Sequence, residues 1–333
     1  MTKFEASAAT RVLGLVAVTA AIAACGNGVP SSTAGGSSSG PASIPARSTT
    51  PVPVSDLPLD VTHAQVAALF TYDTSKPLDI NDATPAKTKD GVITRDLTYA
   101  SADGSSVAAW LVAPSGNGPF AAVLFLHWLA ANSNRDEFLD EATALAKRGV
   151  VSLLPTRLFP GVANPTDWRT DRQSIVDQTS QLRRGLDVLL AQPGVDASRV
   201  AFVGHDYGAM DGAILAAVDR RLKAVVLMAP DATWSDWFFK YFPFLPAAEP
   251  EYSKAMKEFD PVAFVPQIAP TPLYLQFSGQ DPFVSSEVAK QLTQAAGNPT
   301  TTTYASVAHD LQDDATVTAD RDAWLADQLG LPG

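Results

Sequence analysis

Three short stretches of this 333-residue chain carry side chains whose types and order could break a covalent bond. The first is Gly204-His205-Asp206-Tyr207-Gly208, which follows the apolar run 200–203 and precedes a helical pattern through Ile214 and Leu215. Glycines two residues before and two after a central position permit a sharp strand-to-helix turn that exposes the central side chain. Here that side chain is the carboxylate of Asp206. The second stretch, Ser278-Gly279-Gln280-Asp281, follows the apolar run 273–277 and puts Asp281 at the tip of a late strand. The third is Ala308-His309-Asp310, and of the four histidines His309 alone lies after the last predicted strand, near 304–307. Nucleophile, acid and base thus occur in a workable order. Read by itself, Asp206 would also serve as an N-cap for the helix that follows it.

The residue types restrict the chemistry. A carboxylate attacking an ester would form an anhydride, whereas at a saturated carbon it displaces a leaving group and becomes an alkyl ester. Water activated by His309 would then hydrolyse that ester, with Asp281 orienting the imidazole. In the free protein two carboxylates flank His309 and favour its charged form; alkylation of Asp206 removes one charge and frees the base. The turn His127-Trp128-Leu129, directly after the run 123–126, is placed to supply a backbone N–H of an oxyanion hole, with Tyr207 N–H as the second donor. Between Trp234 and Phe244 aromatics are dense, which predicts a small lid over about 230–262 lining an apolar pocket. Tyr241 and Tyr252 are candidate phenol donors to a developing alkoxide. The indoles of Trp128, Trp234 and Trp237 are candidates to hold a halide, and His127 is expected to line the same pocket.

These residues need a scaffold that gathers strand ends. Runs at 123–126, 150–154, 200–203, 224–228 and 273–277 have the length of fully buried strands, and apolar stripes at 138–146 and 175–189 repeat with helical spacing. Strands alternating with helices imply an α/β class, a mostly parallel doubly wound sheet whose chemistry sits at the carboxyl ends of the strands. Upstream, 92–100 and 107–112 flank Ala102-Asp103-Gly104 and predict an antiparallel hairpin at the sheet edge.

With those motifs in view, the stretch from about Leu69 to Leu331 resembles the α/β-hydrolase superfamily, and its run looks most like the dienelactone-hydrolase-like branch. The elbow is similar instead to that of soluble epoxide hydrolases, whose nucleophile is an aspartate in a similar setting. The first resemblance implies ester or lactone hydrolysis by a serine or cysteine, which Asp206 replaces. The second implies opening of an epoxide or a carbon–halogen bond, although His127-Trp128-Leu129-Ala130 lacks the glycine and proline usual in that turn.

Composition narrows the remaining classes. A net charge of −11 excludes a typical nucleic-acid binder, and 46% hydrophobic residues with 18% charged ones describe a folding domain. A single cysteine, Cys25, permits neither an intramolecular disulfide nor a Cys-based zinc site. His and carboxylates do not fall at metal-ligand spacing, and neither a GxxxxGK loop nor a dinucleotide fingerprint in strand-to-helix context occurs, so no metal or nucleotide cofactor is expected. Residues 1–24 combine Lys3 and Arg11 with an apolar run and read as a secretory signal. Their end, Ile22-Ala23-Ala24-Cys25, resembles the bacterial lipobox and implies diacylation of Cys25, a membrane anchor and an extracytoplasmic location. Residues 25–58 are mostly Ser, Thr, Gly, Pro and Ala and read as a tether, leaving 59–333 as one catalytic domain. Three functions remain open: a hydrolase with an alkyl-aspartyl intermediate, an ester or lactone hydrolase with Asp206 as general base, and a non-catalytic binder of a ligand or partner.

Overall fold

The computed structural model describes residues 53–129, 134–156, 167–241 and 248–332, with the side chains of 240 and 241 excepted. The chain divides into units 1–48 and 49–333, the first of which lies outside the described residues, as do Cys25 and its surroundings.

Ten strands form one sheet: β1 (Asn81–Asp82), β2 (Lys87–Lys89), β3 (Val92–Ala100), β4 (Ser106–Pro114), β5 (Phe120–Leu126), β6 (Val150–Pro155), β7 (Val195–His205), β8 (Ala224–Met228), β9 (Leu273–Ser278) and β10 (Thr300–Tyr304). The helices are α1 (His63–Leu69), α2 (Leu139–Ala146), α3 (Trp168–Leu190), α4 (Tyr207–Val218), α5 (Trp234–Tyr241), α6 (Glu249–Met256), α7 (Pro261–Phe264), α8 (Ser286–Ala296) and α9 (Ala315–Leu329). Strand order is β1-β3-β4-β6-β5-β7-β8-β9-β10, with β2 also paired to β3. From β6 to β10 every pairing is parallel, and the β3–β4 hairpin joins antiparallel through β4 and β6, as the expected architecture requires.

The central strands are buried throughout, which explains why they read as continuous apolar runs without alternation. Gly149 adopts φ +84° three residues after α2 and turns the chain into β6. Between α5 and β9 the lid region contributes α6 and α7, and Trp234, Trp237, Phe238, Phe239 and Tyr252 are buried there.

Two expectations need correction. The domain begins before Leu59: Val54 and Leu57 are core residues, and Arg172 donates to the carbonyl oxygens of Pro58 and Leu59 at 2.8 Å each. The last strand is 300–304 rather than 304–307, because a threonine-rich edge strand shows no apolar run although its β-branched residues suit extended backbone.

Candidate active site

The sheet reverses direction of growth at β5: the chain moves outward to β6, then returns to lay β7 on β5's other side. Crevices form at such a switch point, beyond the carboxyl ends of the two strands. The turn after β5 and the end of β7 therefore meet, and these carry His127-Trp128-Leu129 and Asp206.

Asp206 joins β7 to α4 with φ 55° and ψ −118°. Such a conformation costs an L-residue about 1–3 kcal/mol and persists only where neighbours hold it. Its N–H donates to Met228 O at 2.8 Å, and its carbonyl accepts from Ala209 and Met210 N–H, each at 3.0 Å. A Cβ added at Gly208 would strike the carbonyl oxygen of Leu126, and one at Gly204 the carbonyl oxygen of Gly208. The two glycines thus let α4 approach the end of β5. The Asp206 side chain makes no capping bond to α4, so the N-cap alternative is set aside.

Asp281 and His309 arrive on the loops after β9 and β10. His309 Nδ1 donates to Asp281 Oδ2 at 2.8 Å, and Asp281 Oδ1 accepts from Phe283 and Val284 N–H at 2.8 and 3.0 Å. The second ring nitrogen, Nε2, faces Asp206 Oδ1 at 3.7 Å, an ion-pair distance too long for a direct hydrogen bond. Leu129 N–H donates to the other carboxylate oxygen, Asp206 Oδ2, at 3.0 Å. All three titratable side chains are buried. Burial opposes the charge on His309, but the hydrogen bond to Asp281 and the attraction of both carboxylates outweigh it and raise the imidazole to about 10. Phe283, Trp237 and Trp128 surround that ring, with centroids 5.0, 5.8 and 5.9 Å away.

Asp206, Asp281, His309, Leu129, Trp128 and Trp237 are thus gathered, and the Tyr207 ring meets Trp237 edge-on at 5.2 Å, while other expected roles change. Trp128 N–H is committed to Glu137 Oε2 at 2.7 Å, so within this turn the backbone donor facing Asp206 is Leu129. His127 donates from Nδ1 to Trp128 O at 2.8 Å and so braces the turn. Trp234 is fully buried and gives its indole N–H to Phe259 O at 3.0 Å, which removes it as a halide donor. Tyr252 donates to Asp171 Oδ2 at 2.8 Å, a bond that takes its proton away from any alkoxide. Burial, followed by the neighbouring Asp171 charge, pushes its phenol well above the ordinary value. The Tyr241 side chain lies outside the described residues. Reading the sequence missed Glu137 and His205, whose only sequence signals were an acidic residue shortly before α2 and a histidine inside the elbow. Among the described residues no group of three or more His, Cys, Asp or Glu is spaced to hold a metal ion, and no described helix is long and apolar enough to cross a membrane.

A family model described as "Esterase FrsA-like" matches residues 78–233, which include β3 to β8 and the elbow but stop before Asp281 and His309. Esterase FrsA of Salmonella paratyphi B (strain ATCC BAA-1250 / SPB7) is 34% identical over 138 residues, 41% of this chain and 31% of that esterase. The matched stretch is therefore about a third of the curated relative's length. An acetyl xylan esterase from Paenibacillus sp. R4 superposes with TM-score 0.63 at 18% identity, covering 81% of this chain and 93% of its own. A candidate dienelactone hydrolase from Klebsiella pneumoniae subsp. pneumoniae MGH 78578 gives 0.54 at 16% identity, covering 72% and 99%. The domain has the α/β-hydrolase fold.

Proposed function

We propose that the domain is a hydrolase of the α/β-hydrolase type acting on a small apolar molecule at a saturated carbon, an epoxide or a carbon–halogen bond, through an alkyl ester on Asp206. One observation carries this reading: Asp206 Oδ2 accepts the Leu129 N–H while Oδ1 faces His309. If Oδ1 attacks carbon, either the carbon–halogen bond breaks and halide departs, or the carbon–oxygen bond of the epoxide breaks and its oxygen takes a proton from water; in both cases Oδ2 becomes the ester carbonyl. Water deprotonated by His309 Nε2 then adds to that ester carbon, and the negative charge appears on Oδ2, where a backbone donor already points. Collapse breaks the bond between that carbon and Oδ1, the departing oxygen takes the proton from His309 Nε2, and the carboxylate is restored as an alcohol or diol leaves.

Ester or lactone hydrolysis with Asp206 as general base is the second reading, favoured by the esterases among the similar proteins. It requires the substrate carbonyl to displace Oδ2 from Leu129 N–H. Wild-type and His309→Gln protein incubated with epoxides, haloalkanes and aryl esters separate the two. Expected are turnover by the wild type and, in the variant, a mass increase mapped to Asp206. Ester turnover without any adduct would transfer the assignment to the general-base reading, and silence across the panel would favour a binding protein.

A further inference from the structure

Behind the catalytic three lies a second buried carboxylate–imidazole pair that the proposed mechanism does not use. Glu137 precedes α2 with its side chain 3% exposed, and His205, the last residue of β7, is fully buried. Glu137 Oε1 is 2.7 Å from His205 Nδ1, and Oε2 accepts the Trp128 N–H at 2.7 Å. His205 Nε2 lies 2.9 Å from the carbonyl oxygen of His309, which also accepts from Leu311 N–H at 2.8 Å. The Trp128 ring stacks on His205 at 5.2 Å and 15°.

Proton positions follow from the acceptors. A carbonyl only accepts, so His205 Nε2 bears a proton. Across Nδ1 and Oε1 one more proton is needed, since a bare lone pair facing a carboxylate in the interior would be repulsive. Whether that proton rides on nitrogen or oxygen, the pair has no net charge. Burial of Glu137, which raises its carboxyl above the ordinary value, acts in the same sense by favouring a bound proton.

The pair also bridges loops that no sheet ladder joins. Three strands, β7, β8 and β9, separate β5 from β10, and neighbouring strands lie about 4.8 Å apart. The loop carrying His309 must reach back across β9 and β8 to Asp206 at the end of β7. Glu137 holds the turn after β5, His205 holds the loop after β10, and the bond between them closes the span.

We propose that Glu137 and His205 form a positioning pair that ties the Trp128–Leu129 turn to the His309 loop, holding oxyanion donor and base at their distances from Asp206 without adding charge to the site. The proposal rests on the assignment of Asp206, His309 and Leu129 above, and it is testable without a substrate. Glu137→Gln keeps every bond: the amide oxygen accepts from Trp128 N–H, and the amide nitrogen donates to His205 Nδ1. Glu137→Leu removes both bonds, and His205→Phe removes the tether to His309.

In protein labelled with nitrogen-15 histidine, His205 Nε2 is expected to show the one-bond coupling of a protonated nitrogen donating to the His309 carbonyl oxygen. Glu137→Gln should leave the His309 titration in place, whereas Glu137→Leu and His205→Phe should move it down. With any substrate the wild type consumes, Glu137→Leu and His205→Phe should lower kcat by about 10- to 100-fold with KM within about twofold, and Glu137→Gln should recover it to within about threefold. A Glu137→Gln loss as deep as that of Glu137→Leu would mean that the pair moves a proton, and would overturn the proposal. So would a wild-type spectrum in which His205 Nε2 carries no proton, an observation that stands even if the two larger substitutions do not fold. Lack of turnover on epoxides and haloalkanes, with the histidine spectra as expected, would count against the proposed reaction and not against the pair.

Discussion

Asp206→Asn is the most informative perturbation of this site, because it removes one charge and little volume, and so imitates the esterified state. His309 Nε2 stands 3.7 Å from Asp206 Oδ1. At an effective dielectric constant near 20, unit charges at that distance attract by about 4 kcal/mol. Since about 1.4 kcal/mol corresponds to a tenfold change in proton affinity, the loss is worth about three powers of ten. The imidazole, raised to about 10 in the intact site, should therefore titrate near about 7 in the variant, with Asp281 alone supporting its charge. In the proposed reaction, that difference lets His309 be charged before alkylation and a base after it. Long-range proton–nitrogen spectra of the four histidines, with His309→Gln to assign the signal, read it directly. Stability provides a second readout. A raised histidine contributes stability that is complete below its unfolded value of about 6.5 and is lost as pH rises through about 10. In that window the wild type should lose on the order of 1 kcal/mol per pH unit from this group, and Asp206→Asn should be nearly flat above about pH 7. His309 titrating near 10 in both proteins would refute the reasoning, because the base could not then be released by alkylation.

Two further outcomes follow from the same residues. In Asp281→Asn the amide oxygen should keep the Phe283 and Val284 N–H bonds and turn its nitrogen toward His309 Nδ1, forcing the proton onto Nε2. The alkyl-enzyme should still form, but its hydrolysis should slow by about 10⁴-fold in single-turnover mass measurements, and hydrolysis within tenfold of wild type would contradict the assigned role. We also propose that the mature protein is extracytoplasmic and lipid-anchored through Cys25, on the strength of the Ile22-Ala23-Ala24-Cys25 sequence. Cys25→Ala should then pass from the membrane fraction to the soluble fraction on cell fractionation, and retention in the membrane would exclude the anchor.

The backbone geometry of the elbow was visible in the sequence because it depends on local rules. Gly204 and Gly208 bracket a turn that needs close backbone approach, and Asp281 and His309 each follow a recognisable strand or strand end. Buried parallel strands announce themselves as apolar runs, so the sheet and its strand-end site were legible as well. Beyond the pairing of Asp281 with His309, the partners of polar groups were not legible, because they are set by residues far apart in sequence. Trp128 and Leu129 are adjacent and equivalent as text, yet the first N–H goes to Glu137 and the second to Asp206. Tyr252 looked available as an acid until Asp171, on a different helix, took its proton as a hydrogen bond. The sequence alone determined which groups could react and in what order the chain presents them, since residue type and backbone conformation are local properties. Tertiary structure alone decided which oxygen of Asp206 is held and which faces His309, and which polar groups are committed elsewhere, because hydrogen-bond geometry exists only once the loops after β5, β7, β9 and β10 meet.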